Sequence, residues 1–164
     1  MDNFEKYYTA AVSALARRPH SVTEVRDILH KKYKKWNNPE DNREVVDHVI
    51  EKLISQKYLD DISFGEWWRD QRTRFKMKSD RLIKFELQRK GLSKESIEKA
   101  FSKQSEDSLS DVDKAKKLIL KRITKLEHLT KKEKFQKLAS YLTQRGFDYD
   151  VIRKSIDDSL ANEV

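Results

Sequence analysis

The 164-residue sequence has no cysteine, three glycines and two prolines. Without cysteine, the chain cannot form a disulfide, a thiolate nucleophile or a cysteine metal site, and a reducing compartment suits it. The scarcity of glycine and proline removes the turn residues that hairpins, β-sandwiches and phosphate-binding loops require. Long helices joined by short turns are therefore the expected structure.

The sequence also lacks any apolar run of the roughly 20 residues that a bilayer-spanning helix needs. Its first residues, Met-Asp-Asn-Phe-Glu-Lys at 1–6, do not show the basic and then apolar pattern of a secretory signal. These features predict a protein that is neither exported nor inserted in a membrane. The cytoplasm is the expected compartment.

Patterns that indicate catalysis or metal binding are sparse. The chain has four histidines: His20, His30, His48 and His128. None has a histidine partner at i+4 or a third ligand at a suitable spacing. The carboxylates Asp60 and Asp61 precede an apolar-periodic helix, where acidic side chains cap free amides. No glycine-rich loop precedes a helix, so we expect no catalytic residue, no metal and no cofactor.

The sequence does contain an internal repeat. Residues 87–93 read Leu-Gln-Arg-Lys-Gly-Leu-Ser and residues 142–148 read Leu-Thr-Gln-Arg-Gly-Phe-Asp, at an offset of 55 residues. A weaker copy at 29–33 lies 58 residues before the middle one and is followed by an insertion from 34 to 41. Self-similarity of this kind indicates a repeat architecture. We therefore predict three units: helical repeat 1 at 1–58, repeat 2 at 59–105 and repeat 3 at 106–164.

Each clear copy of the repeat contains a signal that ends one helix and begins the next. Gly91 and Gly146 follow basic helix ends, where glycine adopts a left-handed conformation without a Cβ clash. Ser93 and Asp148 come two residues later and supply an oxygen that caps the exposed amides of a new helix. The spacing predicts a tight corner between two helices at each of these sites.

Apolar residues at helical spacing identify the other helices, and capping-box patterns at 21–24 and 130–133 mark two helix starts. One apolar stripe is formed by Phe64, Trp67, Trp68, Gln71 and Phe75. The nine predicted helices lie at about 4–17, 21–34, 41–57, 61–76, 79–90, 93–103, 110–126, 131–145 and 148–160. The predicted fold class is all-α, an elongated array of three tandem three-helix repeats.

Basic residues are the strongest functional signal. There are 36 Lys and Arg against 28 Asp and Glu, a formal net charge of +8, which favours a polyanionic partner such as nucleic acid, anionic lipid or an acidic protein groove. We predict a binding face formed by Arg26, Lys31, Lys32, Lys34, Lys35, Arg69, Arg72, Arg74, Arg81, Lys84, Arg89 and Lys90. Any one of these residues alone is as consistent with an ordinary solvent-exposed position as with a binding role. Trp36 and Trp68 are candidate aromatic anchors, although a core role fits Trp68 at least as well.

Several short motifs occur in the order seen in one known family. They are Leu-Ala-Arg-Arg at 15–18, Ser-Val-Thr-Glu-Val at 21–25, Tyr-Leu-Asp-Asp at 58–61, Lys-Gly-Leu at 90–92, Lys-Arg at 121–122 and Arg-Gly-Phe-Asp-Tyr-Asp-Val-Ile-Arg-Lys at 145–154. Through these motifs the chain resembles the RecX family of bacterial recombinase regulators over nearly its whole length. It departs from the family pattern at the insertion 34–41 and at Lys78-Ser79, which replaces a Gly-Pro pair.

The resemblance implies a non-enzymatic protein that binds the RecA recombinase filament on single-stranded DNA. It implies modulation, chiefly inhibition, of filament extension, ATPase and strand exchange, in DNA repair, recombination and the SOS response. It also implies a cytoplasmic bacterial monomer with weak, sequence-independent binding to single-stranded DNA and no membrane partner. The residues themselves leave two alternatives open: a helix-turn-helix nucleic-acid binder that uses the basic helix 79–90, and an enzyme of unrecognised type.

Overall fold

The protein is described by a computed structural model over residues 3–33, 39–102 and 109–161. In these ranges the backbone forms nine α-helices and no strand, so the predicted all-α class is confirmed. The first three are α1 (Asn3–Leu15), α2 (Val22–Tyr33) and α3 (Pro39–Ser55). The next three are α4 (Asp61–Lys76), α5 (Asp80–Arg89) and α6 (Lys94–Ser102). The last three are α7 (Asp111–Ile123), α8 (Lys131–Thr143) and α9 (Tyr149–Ala161), with a short 3-10 turn at Thr124–Leu126 after α7.

The local signals for helix ends behave as predicted. Gly91 and Gly146 both have a φ of 84°, the left-handed conformation expected at a helix corner. The amide of Glu24 donates to Ser21 Oγ at 3.1 Å, and Thr130 forms a complete capping box at the start of α8. These interactions join residues at most four positions apart, which is why the sequence alone could place them.

The described residues divide into two compact units. Unit 1 comprises residues 1–67 and 87–103, and unit 2 comprises residues 68–86 and 104–164. Helices α4 and α5 therefore each supply residues to both units. The predicted repeat boundaries after residues 58 and 105 follow the order of the helices and stay a prediction.

In unit 1, α1, α2 and α3 pack against one another. Their shared core consists of Tyr7, Ala10, Ala11, Val25, Leu29, Val46, Val49, Ile50, Leu53 and Leu59. The start of α4 approaches α6 closely, because a Cβ added to Gly65 would lie 2.8 Å from the Cβ of Ala100. A glycine at this point lets the two helix backbones come together.

In unit 2, α9 packs against both α7 and α8. The core consists of Ala115, Leu118, Ile119, Ile123, Leu126, Leu138, Leu142, Phe147, Ile152, Ile156 and Leu160. The predicted stripe on α4 is wrong at Phe75, whose surface is 72% exposed. Met77 packs against this core instead, because the chain leaves α4 through a left-handed residue at Met77, with φ 45°.

Each unit contains the same connection between the beginning of one helix and a later corner. In unit 1, Ser21 Oγ donates to the carbonyl of Lys90 at 2.7 Å, and in unit 2, Ser79 Oγ donates to the carbonyl of Gly146 at 2.7 Å. Both serines stand immediately before the second helix of a predicted repeat. Both acceptors belong to the corner of the repeat that follows, so the same hydrogen bond links successive predicted repeats.

A carboxylate adds a second bond to each connection. The amide of Val22 donates to Asp61 Oδ1 at 2.9 Å, and the amide of Asp80 donates to Asp111 Oδ1 at 3.2 Å. Each amide belongs to the first turn of a helix, where it has no intrahelical acceptor. Asp61 and Asp111 each begin the first helix of the next predicted repeat.

Candidate functional site

The predicted basic face is distributed over both units. Unit 1 holds Arg26, Lys31, Lys32, Arg89 and Lys90. Unit 2 holds Arg69, Arg72, Arg74, Arg81 and Lys84, together with the aromatic candidate Trp68. Lys34, Lys35 and Trp36 lie outside the residues that the structure describes.

In unit 1, part of this charge faces solvent. Lys31 and Arg89 are exposed and form no ion pair with any described residue. Arg26 pairs with Asp47 at 2.8 Å, but both side chains are about half exposed, and such surface pairs contribute little to stability. These three cations are therefore accessible to an anionic partner.

Lys90 has a different environment, because its ammonium is largely buried and paired with a carboxylate. It donates to Glu24 Oε1 at 2.6 Å, and Arg18 contacts Glu24 Oε2 at 3.0 Å. Burial alone would raise the pKa of Glu24, but the hydrogen bonds from Arg18 and Lys90 outweigh it and lower this pKa to about 2. Lys90 therefore stabilises the first capping box, and its ammonium is already paired with Glu24.

In unit 2, Glu86 binds two residues of the predicted site, Trp68 and Arg72, and one lysine outside it. It accepts hydrogen bonds from Trp68 Nε1 at 2.9 Å, from Arg72 Nε at 2.8 Å and from the ammonium of Lys78. The Arg72 guanidinium also stacks over the Trp68 ring at 4.1 Å. Burial raises the pKa of Glu86, but these hydrogen bonds outweigh it and leave this pKa below its ordinary value. Trp68 and Arg72 are thus held in a partly buried cluster.

The other predicted cations of unit 2 differ in their exposure and in their ion pairs. Arg74 is 73% exposed and pairs with Asp70 at 2.6 Å within its own helix. Arg81 is 66% exposed, pairs with Asp148 at 3.1 Å and donates to the carbonyl of Gly146. Arg69 and Lys84 are partly buried. Arg74 is therefore the most accessible cation of the predicted set in unit 2.

A second basic segment, which the predicted binding face does not include, covers residues 114–137. It contains ten Lys and Arg residues against two Glu residues. Seven of the cations are exposed: Lys117, Lys121, Arg122, Lys125, Lys131, Lys132 and Lys137. Counting charge helix by helix would have revealed this segment, because it contains an excess of positive charge equal to that of the whole chain.

A cavity of about 1100 Å³ in unit 1 is lined mainly by apolar side chains. Val12, Ile54 and Tyr58 contribute to it and are 37%, 47% and 61% exposed. Asp61 also lines the cavity, and burial raises its pKa despite the hydrogen bond from the amide of Val22. An apolar lining with acidic groups does not suit a polyanion.

The described ranges offer little other candidate chemistry. No group of three or more His, Asp or Glu side chains there is arranged to hold a metal ion. Asp60 has the capping role that the sequence predicts, because its carboxylate accepts from the amide of Ile62 at 2.9 Å and from Ser63 Oγ at 2.7 Å. None of the helices described is both long and apolar enough to cross a bilayer.

Comparison with known proteins identifies the family. The profile described as "RecX, second three-helix domain" matches residues 60–100, and "RecX, third three-helix domain" matches residues 110–156. The regulatory protein RecX of Prosthecochloris aestuarii is 30% identical over 159 residues, which cover 96% of this chain and 95% of that protein. The regulatory protein RecX of Bacillus pumilus is 29% identical over 96% of this chain, which spans 57% of that longer relative.

A solved structure agrees with this assignment. The crystal structure of RecX from Lactobacillus salivarius superposes with a TM-score of 0.74 and 25% identity, covering 94% of this chain and 95% of that one. The matches to successive three-helix domains confirm the predicted repeat array. The collinear motifs, the helical repeats and the relative of similar length lead to one conclusion: the chain belongs to the RecX family of regulatory proteins.

Proposed function

We propose that the protein binds the RecA recombinase filament on single-stranded DNA and inhibits its extension, ATPase and strand exchange. The observation that carries the proposal is membership of a family whose proteins are named regulatory proteins. The exposed cations of both units support it. In this proposal the protein acts as a monomer in the bacterial cytoplasm, by binding and without catalysing a reaction.

The physical basis is long-range attraction between a basic protein and a polyanion. A formal net charge of +8 draws the protein toward the phosphates of single-stranded DNA and toward acidic protein surfaces. Charges that remain exposed mainly accelerate association and orient the first encounter. Lys31, Arg74 and Arg89 have the exposure that such steering requires.

Two double variants with matched local environments test the predicted face. The test variant is Lys31→Glu with Arg74→Glu, which combines an exposed lysine with an arginine paired at i,i+4 to Asp70. The control variant is Lys154→Glu with Arg153→Glu, which combines an exposed lysine with an arginine paired at i,i+4 to Asp157. Both variants change the net charge by the same amount and replace no buried side chain.

The assay measures ATP hydrolysis by RecA filaments on single-stranded DNA, with binding measured separately to RecA alone, to DNA alone and to the filament. We expect the parent to slow hydrolysis and to bind the filament most tightly. The test variant should associate several-fold more slowly, whereas the control should stay within about twofold of the parent. A parent protein that leaves filament ATPase unchanged would refute the proposal. Equal effects of the two variants would refute the predicted face.

The helix-turn-helix alternative is less consistent with the contacts of α5. A recognition helix needs free side chains that reach base edges in the major groove. The guanidinium of Arg81 is instead engaged by Asp148 and by the carbonyl of Gly146, the latter at 3.2 Å, and Lys84 is partly buried. Of the three cations on α5, Arg89 at its last position is exposed without an ion pair to a described residue. Filament binding therefore remains the proposal that the described contacts favour.

A further inference from the structure

Two arginines of unit 2 lie over the ring of Tyr141. The guanidinium carbons of Arg122, on α7, and Arg145, just after α8, each lie 4.0 Å from the centroid of this ring. At this distance each guanidinium is in cation–π contact with the ring. Stacking holds both planar groups in fixed orientations, which reduces the entropy that a ligand would have to remove.

Neither arginine is neutralised by a carboxylate of a described residue. Across the part of the chain that the structure describes, Arg122 and Arg145 form no ion pair. The Nε of Arg145 is buried without a hydrogen-bond acceptor. Two uncompensated cations on one aromatic ring, next to a strongly basic helix, produce a local positive potential that an anion would stabilise.

A cavity of about 410 Å³ lies beside this stack. Among the described residues, its polar lining comes from Arg122, Gln136, Lys137, Ser140, Tyr141 and Gln144, and no carboxylate contributes to it. These side chains are hydrogen-bond donors, as a site for phosphate oxygens requires. The volume is that of a small-ligand site.

Glu133, the acidic residue of α8, is already engaged at the start of its helix. Glu133, one turn before Lys137 on α8, accepts from Thr130 Oγ1 at 2.7 Å and from the Thr130 amide at 2.9 Å. These bonds lower the pKa of Glu133 and keep its carboxylate at the start of α8. Glu133 therefore stabilises the helix end, while Arg122 and Lys137 retain their capacity to bind an anion.

We propose that this cavity is a binding site for one nucleotide of single-stranded DNA. Arg122 and Lys137 contact the phosphate, and the base stacks on the face of the Arg122 guanidinium that points away from Tyr141. Single strands offer unstacked bases to such planar groups, whereas a duplex does not. Exposed Lys125, on the turn that follows α7, extends the positive track for neighbouring phosphates. The inference deepens the proposed function, since that function includes single-stranded DNA.

The test uses the whole protein and a fluorescent oligothymidylate of about 12 nucleotides, without RecA, with binding followed by anisotropy over a salt series. Arg122→Gln should weaken binding about tenfold and reduce the salt slope by about 0.7, the value for one lost phosphate contact on a single strand. Lys121→Gln is the matched control, because it removes an adjacent exposed charge on the same helix. It should weaken binding by less than about twofold.

Further binding and competition measurements identify the ligand. A duplex of the same length should bind the parent more weakly and should discriminate less between Arg122→Gln and Lys121→Gln. Pyrophosphate and ATP should displace the oligonucleotide only at concentrations far above its Kd. Lys137→Gln is a second variant, in case Arg122→Gln lowers stability, and should weaken binding about threefold.

Equal losses for Arg122→Gln and Lys121→Gln would overturn the site and leave only diffuse charge. Displacement by pyrophosphate at concentrations near the Kd of the oligonucleotide would assign the cavity to small phosphates and overturn the nucleotide proposal. The proposed function fails separately. A parent that binds the oligonucleotide through Arg122 but does not affect filament ATPase would retain this site and lose the regulatory role.

Discussion

Ser79 donates a hydrogen bond from its Oγ to the carbonyl of Gly146 at 2.7 Å, across 67 positions of the chain. The same oxygen accepts from the amide of Leu82 at 3.2 Å. Ser79 is 1% exposed, so neither bond can be replaced readily by water. One hydroxyl therefore caps α5 and also connects this helix to the corner before α9.

Ser79→Ala should lower the free energy of unfolding by about 2 kcal/mol, because it removes both a helix cap and the hydrogen bond to the Gly146 carbonyl. Urea denaturation measures the change. Ser102→Ala is the control, since its exposed hydroxyl donates to the Lys99 carbonyl of its own helix and makes no longer-range bond within the described ranges. If the two variants unfold at the same urea concentration, the connection does not stabilise the protein.

Gly146→Val should destabilise the protein by about 2 kcal/mol or more, because a β-branched residue is strained at positive φ. The new Cβ would also lie 2.5 Å from the Cβ of Leu82. Gln144→Val adds the same residue two positions earlier, at a φ of −62°, and should change stability much less. A melting temperature of Gly146→Val equal to that of Gln144→Val would contradict the corner geometry.

Lys114→Met should destabilise unit 2 by about 3 kcal/mol or more, because it leaves two carboxylates facing each other without a cation. The buried ammonium contacts Asp80 Oδ1 at 2.6 Å and Asp111 Oδ1 at 3.0 Å. Adding Asp80→Asn and Asp111→Asn to Lys114→Met should restore most of the loss. Thermal unfolding of the single and triple variants gives the comparison, with the exposed Lys117→Met as control. A single variant as stable as Lys117→Met would refute the argument.

Acid should destabilise the protein partly through Glu24, whose pKa is lowered from 4.5 to about 2 in the folded state. A depressed folded pKa contributes stability above the unfolded value, and this contribution is lost as the pH falls from about 4.5 toward 2. The melting temperature of Glu24→Gln should therefore depend less on pH in that window than that of the parent. Glu51→Gln, at an exposed carboxylate, should keep the parent profile. Identical profiles for Glu24→Gln and the parent would contradict this role.

The helices and their corners were accessible from the sequence because their signals are local. A glycine at 91 or 146 that adopts positive φ, and a capping box at 21–24 or 130–133, depend on residues within one helical turn. The excess of cations at 114–137 could also have been counted, since it needs no knowledge of the fold. Motif order across the chain was sufficient to indicate the family.

The pairing of charges was decided by tertiary structure. The sequence does not show which of Arg72, Lys90 and Lys31 is paired, because the carboxylate partners are distant along the chain and only the fold brings them close. The fold places Glu86 against Arg72 and Glu24 against Lys90, whereas Lys31 is left exposed. In the same way, α7 had to lie beside α8 before Arg122 could stack on Tyr141. Local chemistry thus determined the helices of this protein, and long-range packing determined which of its many cations are free to bind.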